Sequence, residues 1–273
     1  MTNQKVVLVT GASSGIGEAT AERLAKAGYK VYGTSRRGTQ AGKQSFDMIA
    51  LDVTSDESVV AAVQEVMRLE GRIDLLVNNA GFSVAPGGAE ESSIGQAQSI
   101  FDTNFFGIVR MTRAAVPHMR SAGGGRIINI GSVLGFVPMP YGALYAATKH
   151  AIEGYSESLD HELRIWGIRV SVIEPAYIKT PFNAHFLEPD AKLDAYREVR
   201  AAVKMRVNEV METAEEAGTV AETVLKAASA AHPKLRYTPA GLASQLRLLP
   251  RFAPTDLFDA AIRKDLRLDT PTA

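Results

Sequence analysis

Along the chain, short unbroken apolar runs alternate with segments in which apolar residues recur every three or four positions. "KVVLVT" (5–10) is β-branched and continuous, the pattern of a strand buried on both faces. "GEATAERLAKAG" (17–28) has helical spacing and ends on Gly28, a C-cap residue. "KVYGTS" (30–35) and "DMIALDV" (47–53) read as strands. "SDESVVAAVQEVMRLEG" (55–71) reads as a helix with a Ser/Asp start and a glycine end. "IDLLVNNAG" (73–81) is a fourth strand running into a turn, residues 96–122 are helical, and "GRIINIGS" (125–132) is a fifth strand. A long helix follows over 143–167, then a sixth strand, "IRVSVIEPA" (168–176). Beyond residue 180 the strand pattern nearly stops. Residues 183–231 read as mostly helical, "LRYTP" (235–239) as a last strand, and 241–273 as a leucine-rich extension.

Strands alternating with helices require right-handed crossovers and a parallel sheet covered on both faces. The expected fold is therefore α/β, a Rossmann-like doubly wound parallel sheet in three α/β/α layers. Its core covers about 5–180, and a helical C-terminal part from about 181 closes over the crevice. No linker or repeat divides the 273 residues, so one domain is expected.

Composition narrows the function. Thirty basic and thirty acidic residues cancel, and no basic run exceeds a pair, so there is no electrostatic footprint for nucleic acid. The absence of cysteine removes disulfides, thiol nucleophiles and cysteine-ligated zinc, and fits a reducing cytoplasm. His118, His150, His161, His185 and His232 show no metal-ligand spacing, so no metal is expected. The apolar run in "MTNQKVVLVT" is shorter than a signal peptide needs, so none is expected there, and the uncharged stretch 127–148 is too broken by Asn129, Ser132, Pro138, Pro140 and glycines to read as a membrane span.

The candidate chemistry begins at "TGASSGIG" (10–17), between the first strand and the first helix. Gly11, Gly15 and Gly17 allow a tight turn and close backbone approach to a pyrophosphate resting on the helix N-terminus, with Ser13, Ser14 and Ile16 beside it. The spacing is not the usual G-x-G-x-x-G, so it is the place in the first strand–helix turn that points to a dinucleotide. Strand two ends in "TSRR". NAD binders place an acid there; here Ser35 is neutral and Arg36 and Arg37 are cationic, which suits a 2′-phosphate and hence NADP(H) over NAD(H).

Among Tyr141, Tyr145 and Tyr155, only Tyr145 has a lysine four residues on, Lys149, on the same helix face. A phenol titrates near ~10 in isolation, and a nearby ammonium should lower that value. Ser132 ends strand five, at the edge of the sheet that faces the ligand, where its hydroxyl could bond the oxygen that Tyr145 protonates. Tyr141 is a helix-start or pocket-wall residue, and Tyr155 lies too far along the helix.

"TGASSGIG", "NNAG" (78–81), "DTNFFG" (102–107), Ser132, "YAATK" (145–149) and "EPAYIKT" (174–180) occur in this order. Together they resemble the short-chain dehydrogenase/reductases over about residues 5–180, with a looser similarity of the second half to the hydroxysteroid- and retinol-dehydrogenase-like branch. The resemblance implies reversible hydride transfer between a nicotinamide and a carbonyl or secondary alcohol. Ser132 would orient the substrate oxygen, Tyr145 move the proton, Lys149 tune Tyr145 and hold the nicotinamide ribose, and Asn104 support a water in the relay. It places Asp52 and Val53 at the adenine. Asn79, Ala80 and Gly81 would lie along the cofactor, and Pro175, Ala176, Ile178 and Thr180 at the nicotinamide end. Ala176 departs from the family's usual Pro-Gly and narrows that end by a methyl group. The resemblance also implies a homodimer or homotetramer built on the helices around 104–122 and 143–166. An epimerase or dehydratase on the same scaffold, or a non-catalytic NADP sensor, stays open at this point. In the covering part, Phe182, Phe186 and Leu187, and Leu242, Leu246 and Leu249 with Phe252 beyond, form apolar stripes that either wall a pocket for a bulky apolar substrate or pack on the core.

Overall fold

A computed structural model describes residues 4–38, 45–181 and 186–268, with the side chains of all of these except 240 and 248–252. Seven strands form one parallel sheet in the order β3-β2-β1-β4-β5-β6-β9. They are β1 (Val6–Val9), β2 (Lys30–Ser35), β3 (Asp47–Ala50), β4 (Leu75–Asn78), β5 (Gly125–Ile130), β6 (Ile168–Ile173) and β9 (Arg236–Tyr237). The two-residue strands β7 (Ile178–Lys179) and β8 (Glu215–Glu216), invisible in the sequence pattern, pair beside it.

Successive side chains point to opposite faces and both faces are covered, so a central strand such as β1 is apolar and buried at every position. Val6 and Leu8 of β1 join the core under α2 (Asp56–Glu70), α4 (Gly107–Ser121) and α5 (Ala143–Leu163), with Val63, Met111 and Leu159. Val7 and Val9 join the opposite core under α1 (Gly15–Lys26) and α7 (Ala217–Ser229), with Leu24 and Val224. The result is the expected doubly wound three-layer α/β/α arrangement. Strand order reverses direction between β1 and β4, and a crevice opens there at the carboxyl ends of the strands.

Helix α2 starts on Ser55, whose hydroxyl accepts from the Ser58 N–H at 3.1 Å, and stops at Gly71 with φ +71°. Helix α1 stops one residue earlier than the pattern indicates: Ala27 caps it, and Gly28 then supplies the left-handed turn at φ +90°. The helix expected over 96–122 is not continuous. Helix α3 (Ile94–Phe101) passes through a π-turn at Asp102–Phe106 before α4. The covering part comprises α6 (Arg197–Glu212), α8 (Ala240–Phe252) and α9 (Thr255–Asp265); α7 and β9, although beyond residue 180, belong to the core layers instead. Among the described residues, no helix is long and apolar enough to cross a membrane.

Candidate active site

The crevice is a cleft of about 1400 Å³ that runs from the start of α1 to the covering helices. Its floor at one end is the glycine turn. Gly11 and Gly15 have φ of +65° and +60°, a region that L side chains rarely adopt. Gly17 does not line the cleft. A Cβ there would stand 2.2 Å from Gly11 O and 2.4 Å from Asn79 Nδ2, so its role is to let the turn close on β4. Asn79 completes that closure: its Nδ2 donates to the carbonyls of Thr10 and Gly11 at 3.0 Å each, and its N–H donates to Thr10 Oγ1 at 2.9 Å. Gly11, Ser13, Ser14, Gly15, Ile16, Asn79, Ala80 and Gly81 all face the cleft.

These residues fit a dinucleotide. Ser14 begins α1 without a side-chain capping bond, leaving the helix N-terminal N–H groups to a ligand. At the end of β2, Thr34 Oγ1 and Ser35 Oγ are buried and have no hydrogen-bond partner. Arg36 and Arg37 are exposed on the cleft rim and make no ion pair with a described residue. Asp52 and Val53 line the same end. Asp52 Oδ1 accepts from the Thr54 hydroxyl and N–H, which holds the carboxyl below its ordinary value.

At the other end, Ser132, Tyr145 and Lys149 line the cleft together with Pro175, Ala176, Ile178 and Thr180. The Ser132 hydroxyl donates to Pro175 O at 3.3 Å and accepts from the Leu134 N–H at 3.1 Å. Lys149 is buried, and its Nζ donates to Ile130 O at 2.8 Å while lying 5.4 Å from the centroid of the Tyr145 ring. The spacing therefore brings the pair together, but as an ammonium facing the ring. The expected lowering of the phenol is not found here. Burial pushes Tyr145 up and Lys149 down to about 8, the latter opposed by Glu153 one turn along α5. Desolvation decides both directions because both groups are withdrawn from water.

Asn104 sits buried in the π-turn. Its Oδ1 accepts from Phe82 N at 2.9 Å, and its Nδ2 donates to Phe82 O at 2.8 Å and Thr148 Oγ1 at 3.3 Å. Its side chain thus ties the segment after β4 to α5. Asn78 works similarly through Asn129 (2.8 Å) to Ser156 (2.8 Å). Tyr141 is on the cleft wall at φ +63°, an unusual conformation for a side-chain-bearing residue. Tyr155 packs edge-on to Phe105 instead.

The far wall is largely apolar, with the Arg206–Asp265 ion pair also on it. Phe186 and Leu187, and Leu242 and Leu246 of α8, line it, so the visible part of both stripes faces the cleft. Phe182 lies outside the described residues, as do the side chains of Leu249 and Phe252. Sequence reasoning missed Val207, Val210 and Met211 of α6, and Leu257, Phe258, Ala261 and Ile262 of α9, which also line it. Their three-and-four spacing was the available signal. It also missed Glu174, whose carboxyl, a lone charge in "SVIEPA", is fully buried.

The family model for short chain dehydrogenase matches residues 5–191. The chain belongs to the short-chain dehydrogenase family. It is 43% identical to a 3-ketodihydrosphingosine reductase of Bacteroides thetaiotaomicron over 66% of each chain. It is 35% identical to human retinol dehydrogenase 16 over 94% of this chain and 87% of that one. Among solved structures, a short-chain dehydrogenase from Streptomyces avermitilis superposes with a TM-score of 0.81 at 31% identity, covering 99% of this chain and 100% of the other. A 3-ketoacyl-(acyl-carrier-protein) reductase from Brucella melitensis, 28% identical, is complexed with NADH. It has a TM-score of 0.71 and covers 86% of this chain and 96% of its own. ElxO, 26% identical, is bound to NADP. It also has a TM-score of 0.71 and covers 89% and 99%.

Proposed function

We propose that this dehydrogenase interconverts a carbonyl and a secondary alcohol on an apolar substrate, with NADP(H) preferred over NAD(H). One observation carries the reading. Ser132, Tyr145 and Lys149 meet at one end of a cleft whose other end is a glycine turn and helix N-terminus fit for a dinucleotide. When bound, the nicotinamide supplies or accepts the hydride.

The chain's own residues do the rest. The Ser132 hydroxyl turns from Pro175 O to the substrate oxygen and fixes it. Tyr145, kept neutral by burial, donates a proton to that oxygen in reduction, and its phenolate takes one back in oxidation. The buried Lys149 ammonium stabilises the phenolate left behind. Arg36 and Arg37, exposed on the rim, supply the charge that a ribose 2′-phosphate needs. The apolar wall from α6, α8 and α9 takes the body of the substrate, in keeping with relatives named for a sphingoid ketone and for retinol. A cytoplasmic homodimer or homotetramer belongs to the same reading, on the cysteine-free composition and the family resemblance.

The test is a panel of ketones, aldehydes and alcohols of graded length, followed by reduced-nicotinamide absorbance with each cofactor. Net NADPH consumption on long apolar ketones is the expected result. Cofactor recycling without net oxidation would instead make this an isomerising enzyme.

A further inference from the structure

Strand β6 leads into a charge that the apolar pattern does not explain. Glu174 is fully buried directly before Pro175. Its Oε2 accepts from Arg247 Nη1 of α8 at 2.8 Å, while its Oε1, 3.4 Å from Arg236 Nε, has no hydrogen-bond donor. A buried carboxylate is costly to desolvate, and losing Arg247 leaves only the longer Arg236 contact to offset that cost. The pair therefore holds the two elements that carry it in one relative position.

Those two elements carry different parts of the cleft lining. On one side, α8 presents Leu242 and Leu246 to the apolar chamber, and Arg247 is the next residue. On the other, the carbonyl of Pro175 accepts from the Ser132 hydroxyl at 3.3 Å and from the Val133 N–H at 2.9 Å. Helix α8 also packs on the short turn Val133–Gly135 that follows Ser132.

We infer that the Arg247–Glu174 pair is a latch coupling the seating of α8 over a substrate to the placement of the Ser132 hydroxyl, which makes both positioning residues. The inference rests on the reading of Ser132 as the group that orients the reacting oxygen. A substrate long enough to reach Leu242 and Leu246 seats α8, and the pair carries that seating to Pro175 and Ser132. A short substrate leaves α8 untouched. Chain length then raises kcat, and does not merely lower KM.

The test uses the full chain at about pH 8 with saturating NADPH, a long-chain ketone and a minimal ketone. Arg247→Ala and Glu174→Gln should each lower kcat for the long ketone about tenfold and for the minimal ketone less than about threefold, a scale usual for groups in contact. The double variant should fall no further than the worse single variant, and Arg247→Lys should recover most of the loss. Equal losses on both ketones, a change confined to KM, or additive losses would overturn the latch. If the wild type turns over no ketone or alcohol, the proposed reaction falls, and amide hydrogen exchange decides the latch alone. Glu174→Gln should then speed exchange in 240–247 and Arg247→Ala in 131–136, each across the pair, with β1 unchanged. Loosening that stays on each variant's own side would overturn it.

Discussion

On the α1 side of the cleft, contact is made by backbone: the Gly11 and Gly15 turn, the first N–H groups of α1, and a Gly17 contact that leaves no room for a methyl group. On the α8 side it is made by side chains from three helices, Val207 and Met211, Leu246, and Phe258 and Ile262. The holding forces differ in the same way. Asn79 and Thr10 tie the glycine turn to β4 through side-chain hydrogen bonds to main-chain groups. The cover is held by ion pairs: Arg206 with Asp265 at 2.6 Å, Arg267 with Glu209 at 2.8 Å, Arg200 with Glu91, and Arg247 with Glu174. A backbone-built wall recognises a ligand part that does not vary and tolerates almost no substitution. A wall of apolar side chains on helices can be resized residue by residue, so it is where substrate choice is set.

The seam between the walls should give the largest effect. Tyr145→Phe is expected to lower turnover by about 10²- to 10⁴-fold, the range of a lost proton transfer, while NADPH still binds in a fluorescence titration. Turnover near wild type would remove Tyr145 from the chemistry. Next comes the backbone wall. Gly17→Ala should weaken NADPH binding by about 10- to 100-fold, because a displacement near an ångström carries that scale of loss. An unchanged Kd would mean that the turn has slack the structure does not show.

The rim is the one place on this wall where side chains decide. Ser35→Asp combined with Arg36→Ala should move preference towards NAD(H) by about 10- to 150-fold, the worth of a charge-assisted hydrogen bond, judged by the ratio of the two dissociation constants. Equal affinities in the wild type would show that Arg36 and Arg37 are merely solvated. On the α8 side, Leu246→Ala should lower kcat/KM for a long ketone by roughly three- to tenfold, given about 0.8 kcal/mol per buried CH₂, and leave a minimal ketone nearly unaffected. Uniform loss across a ketone series would mean that Leu246 is packing rather than pocket wall.

The smallest effect is on stability. Burial pushes Glu174 from its ordinary 4.5 up to about 7, aided by Glu153 and opposed by Arg247 and Arg236. The folded state holds this proton more tightly than the unfolded state does. The resulting stability is present below pH 4.5 and is lost as pH rises towards about 7. Glu157 and Lys149 of α5 also face this cluster. Between those pH values, the wild type should lose melting temperature relative to Glu174→Gln. Parallel curves for the two proteins would show that Glu174 does not titrate there.

Much of the backbone-built half was legible in the linear order of residues. Strands, crossovers, the glycine turn and the Tyr145–Lys149 offset are local patterns with periods of two, three or four, and local patterns survive in a one-dimensional string. The apolar stripe of α8 was legible for the same reason. What the string could not carry is what sets two distant residues side by side. It does not say that Lys149 faces the ring of Tyr145 and donates to Ile130, so the expected lowering of the phenol gave way to burial. It does not say that Asn104, in a π-turn, spends its side chain on Phe82 and Thr148. Nor does it say that Glu174 meets Arg247 across 73 positions of chain. Periodicity is set residue by residue by backbone geometry, so the sequence alone determined the doubly wound sheet and its glycine turn. Desolvation and pairing depend on which elements close over a group, and only the tertiary structure decided those.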